Sequence, residues 1–344
     1  MLVQCKLPFL RFLAGWTSYA ACVFFLSQSI YAKEPSGVQK VRYYGYDDCV
    51  QLENETTRVI LCPSAGGRVL EYALNGQNVL YLPTGNEGWV WDGSNQRGQM
   101  DAGRFDIGPE QVVPPRPELW QGKWTAKDYG DYRVTLVSPV SSSAGVYLER
   151  EFVLAAKGSR LECTQAIVNA SGKPVEYCHW SRTFAVGHGN CIIPVSEPRR
   201  FTEGYVRYDP PGRMLNMKPT DDHVVAHGNY LVVNDRPERP KLGFDSMTGW
   251  FAYEAPNDLL FVKSYETYPS RAYNEVAGLT ISIWYPDDDM VELEPIGPRE
   301  RLEKKGDRAE FTEVWHLVEH PFPGTDGTQV DEVAKKVQPL IKRP

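Results

Sequence analysis

The chain has 344 residues, room for one large β domain or two ordinary domains. It carries 37 Lys and Arg against 44 Asp and Glu, a formal net charge of −7 that excludes a nucleic-acid-binding surface built on bulk positive charge. Hydrophobic residues at 42% and charged residues at 24% are close to the average of globular proteins, so the chain can bury a large core and need not be disordered.

The first segment differs in character from the rest. Lys6 and Arg11 precede a mostly apolar run from Phe12 through Ala32, and charge returns at Lys33 and Glu34. That order reads as a secretory signal over residues 1–32, cleaved after Ala32, so residues 33–344 are expected to form an exported protein, periplasmic or extracellular. Ile30 is bulkier than the small residue usual three positions before such a cleavage site, which leaves an uncleaved membrane anchor as the alternative. Five cysteines follow the signal: Cys49, Cys62, Cys163, Cys178 and Cys191. They are too sparse for a disulfide scaffold and contain no C-x-x-C pair; one bridge is open to them in an oxidising compartment, with the pairing undetermined.

Beyond the signal the chain reads as nearly all β. Alternating or β-branched runs predict strands at Arg58 to Cys62, Val69 to Leu74, Tyr132 to Val137, Val146 to Leu154, Leu161 to Val168 and Val175 to Val186. Asn75-Gly76 predicts a tight hairpin. Strands resume at Tyr230–Val233, Gly249–Glu254, Leu259–Ser264, Leu279–Trp284, Met290–Glu294 and Glu310–Val318. Pro83 to Lys127 and Glu197 to Asn229 read as long irregular stretches. One helix is expected near the C-terminus, where Val330, Val333, Ala334 and Val337 follow helical spacing; Thr328 would cap it, Pro339 would end it, and it would pack outside a sheet. No repeat or composition break marks a second domain. A single large antiparallel sandwich is the simplest architecture.

Three segments carry a resemblance. Val59 to Tyr81 contains a strand, a Gly66-Gly67-Arg68 turn, a second strand and a hairpin into Val79-Leu80. Tyr177-Cys-His-Trp-Ser-Arg-Thr-Phe184 places a histidine, His179, in mid-strand. Met290-Val-Glu-Leu-Glu-Pro-Ile-Gly-Pro298 precedes a last strand around Trp315-His316-Leu317. In this order the three resemble the aldose 1-epimerase (galactose mutarotase) superfamily, and the chain is similar to exported bacterial relatives of it. The resemblance implies a β-supersandwich that binds sugar on the concave face of its larger sheet. It implies Glu294 as base and His179 as acid, interconverting anomers or epimers of a carbohydrate without cofactor or metal. A carboxylate and an imidazole suit that chemistry because burial and neighbours can bring both to titrate near neutral pH. Glu292 and Glu294, two apart on a strand, share one face.

The chain departs from the pattern in one respect: none of its six histidines precedes His179, whereas the superfamily places a second histidine in the N-terminal half. The corresponding stretch, Gly98 to Trp124, offers Arg104, Asp106, Glu110, Gln111 and Trp120 instead. These can bond sugar hydroxyls or stack on a pyranose face, so the alternative is a glycan-binding protein without catalysis. Trp89, Trp91, Trp124 and Trp180 add to the aromatic bias. Arg182, three after His179, falls on the opposite strand face unless a bulge intervenes, and Arg68 reads as structural. Asp287-Asp288-Asp289 lacks the spacing of a calcium loop, and His223 and His227 lack the helix and glutamate of a zinc site.

Overall fold

The computed structural model describes residues 35–94, 101–209, 214–287, 289–323 and 327–341. The expected signal over residues 1–32 lies outside them, as do Gly98 and Asp288. Among the described residues no helix is long and apolar enough to cross a membrane.

Two antiparallel sheets, of twelve and ten strands, face each other. The larger runs Val38–Tyr43, Tyr46–Glu53, Thr57–Cys62, Arg68–Leu74, Gly103–Gly108, Val175–Val186, Met290–Leu302, Ile281–Trp284, Lys241–Phe244, Tyr205–Asp209 and Met214–Asn216, with Gln77–Asn78 hairpinned onto Arg68–Leu74. The smaller runs Val224–His227, Tyr230–Val233, Asn190–Pro194, Trp250–Ala255, Leu259–Tyr265, Arg308–Glu319, Leu161–Asn169, Val146–Leu154, Arg133–Val137 and Thr125–Gly130. Side chains alternate, so each strand sends every second residue into the space between the sheets. Val146–Leu154 follows this strictly: Val146, Leu148, Phe152 and Leu154 are buried against Phe105, Ile107, Phe311 and Trp315 in one continuous core.

The stretches expected to be irregular contain strands after all. Gly103–Gly108, Thr125–Gly130, Tyr205–Asp209 and Val224–His227 lie within or across them, and a one-turn helix, Pro117–Trp120, interrupts the first. Gly103–Gly108 is buried at every position; Arg104 and Asp106 alternate with Phe105 and Ile107, but over only four residues between glycines, too short a run to stand out from the surrounding loop-like sequence. The strand expected to stop at Glu294 continues to Leu302.

The C-terminal helix spans Val330–Ile341 and lays Val330, Val333 and Val337 on the outer face of the smaller sheet, against Ile192, Trp250, Leu260 and Val262. Each such side chain contributes roughly 1.5–3 kcal/mol. Two expected details differ. The first turn bonds back to the Gln329 carbonyl, while the Thr328 hydroxyl is taken by buried Glu254. Pro339 sits inside the last turn instead of ending the helix.

The Gly66-Gly67 turn positions a loop that matters below. Both glycines have positive φ, +69 and +60, and a Cβ on Gly66 would lie 2.0 Å from the Trp120 carbonyl oxygen. Only glycine admits this approach, which docks the 120–124 segment against the turn through Gly66 N–H to Gly122 O at 2.8 Å and Trp124 N–H to Pro63 O at 2.8 Å. Arg68 is fully buried and paired with Asp101, a structural role.

Candidate functional site

Five neighbouring strands of the larger sheet build the site on their outward face. On Val175–Val186 the inward residues are His179, Ser181, Thr183 and Ala185, and the outward ones Trp180, Arg182 and Phe184. Arg182 pairs across to Arg104 and Trp180 to Asp106 on Gly103–Gly108. On the other side Phe184 faces Glu292, which faces Trp284, which faces Lys241. Ser282 faces Glu294.

Ion pairs knit these rows together. Arg182 donates both Nε and Nη2 to Glu292, at 2.8 and 3.0 Å, and its Nε lies 3.0 Å from Glu294 Oε1. Arg104 is stacked 4.5 Å over Trp120 and reaches Glu292 only at 3.8 Å. Arg116 forks onto Asp106 at 2.8 and 3.0 Å. Lys241 bonds Glu110 at 3.0 Å and lies over the rings of Trp180 and Trp284.

Burial without full compensation sets the electrostatics. Burial, then the neighbouring Glu292, raises the Glu294 carboxyl to about 8. For Glu292 burial pushes the same way, but Arg182 and Arg104 outweigh it and hold the pKa below the usual range. Burial and then Arg182 lower Arg104 to about 9. Two carboxyls on one strand face thus differ in protonation at neutral pH. Several buried atoms here have no hydrogen-bond partner: Glu294 Oε2, Arg104 Nε and Nη1, and Trp180 Nε1, while Glu294 Oε1 has only its ion-pair contact with Arg182. Buried polar groups are rarely left so, and four such atoms gather on one face of the sheet.

Eight sequence-derived candidates therefore meet on this face: Arg104, Asp106, Glu110, Trp120, Trp180, Arg182, Glu292 and Glu294. His179 does not join them. Its ring points between the sheets, stacked on Phe105 at 5.8 Å and Phe311 at 5.7 Å, with Nε2 3.2 Å from the Ala309 oxygen. Burial lowers its pKa to about 3, so it is a neutral core residue. The expected meeting of His179 with Glu294 over one hollow is overturned by strand alternation, which gives the imidazole and Arg182 opposite faces.

Gln111 is exposed, and Trp124 is a core residue bonded to the Leu119 carbonyl. Trp89 serves as backbone acceptor for Tyr46, and Trp91 bonds Ser94. Lys241, Arg116, Ser282 and Trp284 were missed. The alternation Ile281-Ser-Ile-Trp284 holds a usable signal, since inward isoleucines force Ser282 and Trp284 outward together. No sequence signal links Arg116 to Asp106 across their loop. A cavity of about 1100 Å³ lies elsewhere, lined by His223, Tyr230, Asn234 and Thr328, but no buried unpartnered polar side chain faces it among the described residues. No cluster of described residues could hold a metal ion.

No family model and no curated protein match the chain. Solved structures do. A Synechocystis protein superimposes with a TM-score of 0.56 at 14% identity, over 82% of this chain and 100% of that one. A candidate aldose 1-epimerase from Escherichia coli gives 0.55 at 12% identity, over 78% and 98%. A galactose mutarotase-like protein from Lactobacillus casei gives 0.54 at 11% identity, over 78% and 100%.

Proposed function

We propose, from the galactose mutarotase-like fold that this chain has, that it binds a carbohydrate on the outward face of its larger sheet. The observation that carries this reading is the set of unpartnered buried atoms on Glu294, Arg104 and Trp180. Sugar hydroxyls both donate and accept, so one ring can satisfy a carboxyl, a guanidinium and an indole N–H together. Trp120, half-buried at the rim of this face, supplies an apolar surface for the C–H side of a pyranose.

A second reading, anomer interconversion, is favoured by the position of Glu294 near neutrality. The reaction needs one group to protonate the ring oxygen and another to take the anomeric proton. Glu294, protonated below pH about 8, supplies the acid, and ionised Glu292 beside it the base; carboxyl pairs with separated pKa values divide such roles. This replaces the expected pairing of Glu294 as base with His179 as acid. The N-terminal sequence supports placing the protein outside the cytoplasm; N-terminal sequencing of the exported product should begin at Lys33.

The test is titration of the protein with a glycan panel by calorimetry, alongside polarimetry of freshly dissolved aldoses. Arg104→Met keeps the side-chain volume and removes two unpartnered donors, so affinity is expected to fall at least ~10-fold with folding intact. His179→Phe preserves the ring stack with Phe105 and Phe311; it should cost less than ~1.5 kcal/mol of stability and leave binding unchanged. A protein that binds no member of the panel, or binds equally well as Arg104→Met, refutes the reading. Glu294→Gln separates binding from turnover, since accelerated mutarotation should vanish in it.

A further inference from the structure

We propose that Cys49 and Cys62 form a cross-strand disulfide, a covalent link closing the hairpin of Tyr46–Glu53 and Thr57–Cys62, one strand in from the edge of the larger sheet. The register carries the argument. Val50 pairs with Leu61 and Leu52 with Val59, so the next step sets Cys49 opposite Cys62. At the hairpin end Asn54 N–H bonds the Thr57 carbonyl at 3.0 Å, which makes 54 and 57 a hydrogen-bonded pair. Such pairs alternate along an antiparallel ladder, so 49 and 62 fall at a non-hydrogen-bonded position, where Cα atoms are about 4.5 Å apart. That is within the span a disulfide bridges, about 4.4–6.8 Å.

Both side chains are fully buried in one cluster with Tyr46, Ile60 and Leu70, where they stand as free thiols that interact with each other. Among the five described cysteines no other pair qualifies. Two strands, Arg68–Leu74 and Gly103–Gly108, separate Cys62 from Cys178; Cys163 and Cys191 lie on the smaller sheet with three strands between them. Cys178 belongs to the outward cluster of Trp180 and Ile296, turned away from the smaller sheet.

Burial, and then the Cys49 thiol beside it, raise the Cys62 pKa far above the ordinary range, which disfavours the nucleophilic thiolate once the hairpin has closed. The link therefore forms while the chain folds. One cysteine thiolate attacks a small-molecule disulfide such as oxidised glutathione and releases one glutathione thiolate. The second cysteine thiolate then displaces the other glutathione from the mixed disulfide. Two cysteine thiols are oxidised, one glutathione disulfide is reduced to two glutathione molecules, and the thiol protons pass to solvent and the departing thiolates.

The full chain, unfolded and reduced, would be refolded in a mixture of reduced and oxidised glutathione, alkylated and mapped by mass spectrometry. A peptide joining Cys49 to Cys62, with Cys163, Cys178 and Cys191 alkylated, is the expected result. Reduction of the refolded protein should then lower its thermal midpoint by several degrees, because the closed loop restricts the unfolded chain. Cys62→Ala should show no such redox dependence. Alkylation of Cys49 and Cys62 to the same extent as the other three, or a link from either to a different cysteine, overturns the proposal whether or not the variant folds.

Discussion

Replacing Lys263 with methionine is expected to destabilise the protein by about 3–5 kcal/mol, the largest single-residue effect away from the candidate site. Lys263 belongs to the smaller sheet, and its side chain is fully buried between the sheets. Its Nζ lies 3.1 Å from Glu313 Oε2, and it donates to Thr183 Oγ1 at 3.0 Å and the Leu293 carbonyl at 3.2 Å. Glu313 also accepts from Gln165 and from the Trp315 indole. Methionine keeps most of the volume, so the cost arises from leaving the Glu313 carboxylate in the core without its ion-pair partner. Denaturant unfolding measures it, and Glu313→Gln in the same chain should restore part of the loss by removing the stranded charge. A drop under ~1 kcal/mol for the single variant would contradict this account. The same amine pins Thr183 and Leu293, which flank Arg182, Glu292 and Glu294 in sequence, so the sugar affinity proposed for this face should weaken with it.

Glu294→Gln is expected to change the pH dependence of stability more than any other substitution at the site. The folded carboxyl titrates near 8 against an ordinary 4.5, so between these values the native state holds a proton that the unfolded chain has released. The unfolded state then binds fewer protons, and stability falls as pH rises, by up to about 1.4 kcal/mol per pH unit from this group. The contribution is complete below about pH 4.5 and gone above about pH 8. Glutamine cannot titrate, so the variant's curve should lie close to the parent's in acid and above it in mild alkali. Glu292 works in the opposite direction: its lowered pKa adds stability that disappears as pH falls below the ordinary carboxyl range, in both proteins. Parallel unfolding curves for parent and variant from pH 5 to pH 9 would show that Glu294 is ionised in the folded protein.

Strand alternation was legible over the middle of the chain, where Val146–Leu154 and Val175–Val186 are placed residue for residue. Gly103–Gly108 carries the same alternation, Arg104 and Asp106 outward and Phe105 and Ile107 inward, but over only four residues inside a long Gly- and Pro-containing stretch, so it did not stand out. The shared face of Glu292 and Glu294 also followed from spacing alone. Lys241 could not be assigned to the site, since it enters through a four-residue strand whose neighbour in the sheet, Ile281–Trp284, lies some forty positions later in the chain.

Sequence by itself determined that His179 and Arg182 stand on opposite faces of their strand, that this strand belongs to a large antiparallel sandwich, and that a helix closes the chain. Tertiary structure decided which of those faces turns inward. The inward set, His179, Ser181, Thr183 and Ala185, is no more apolar than the outward set, Trp180, Arg182 and Phe184, so hydrophobicity along one strand could not choose between them. The choice came from what each face meets. Phe105, Phe311 and the Lys263 amine receive the first set between the sheets, while Asp106, Glu292 and Glu294, brought from strands distant in the chain, receive the guanidinium of Arg182.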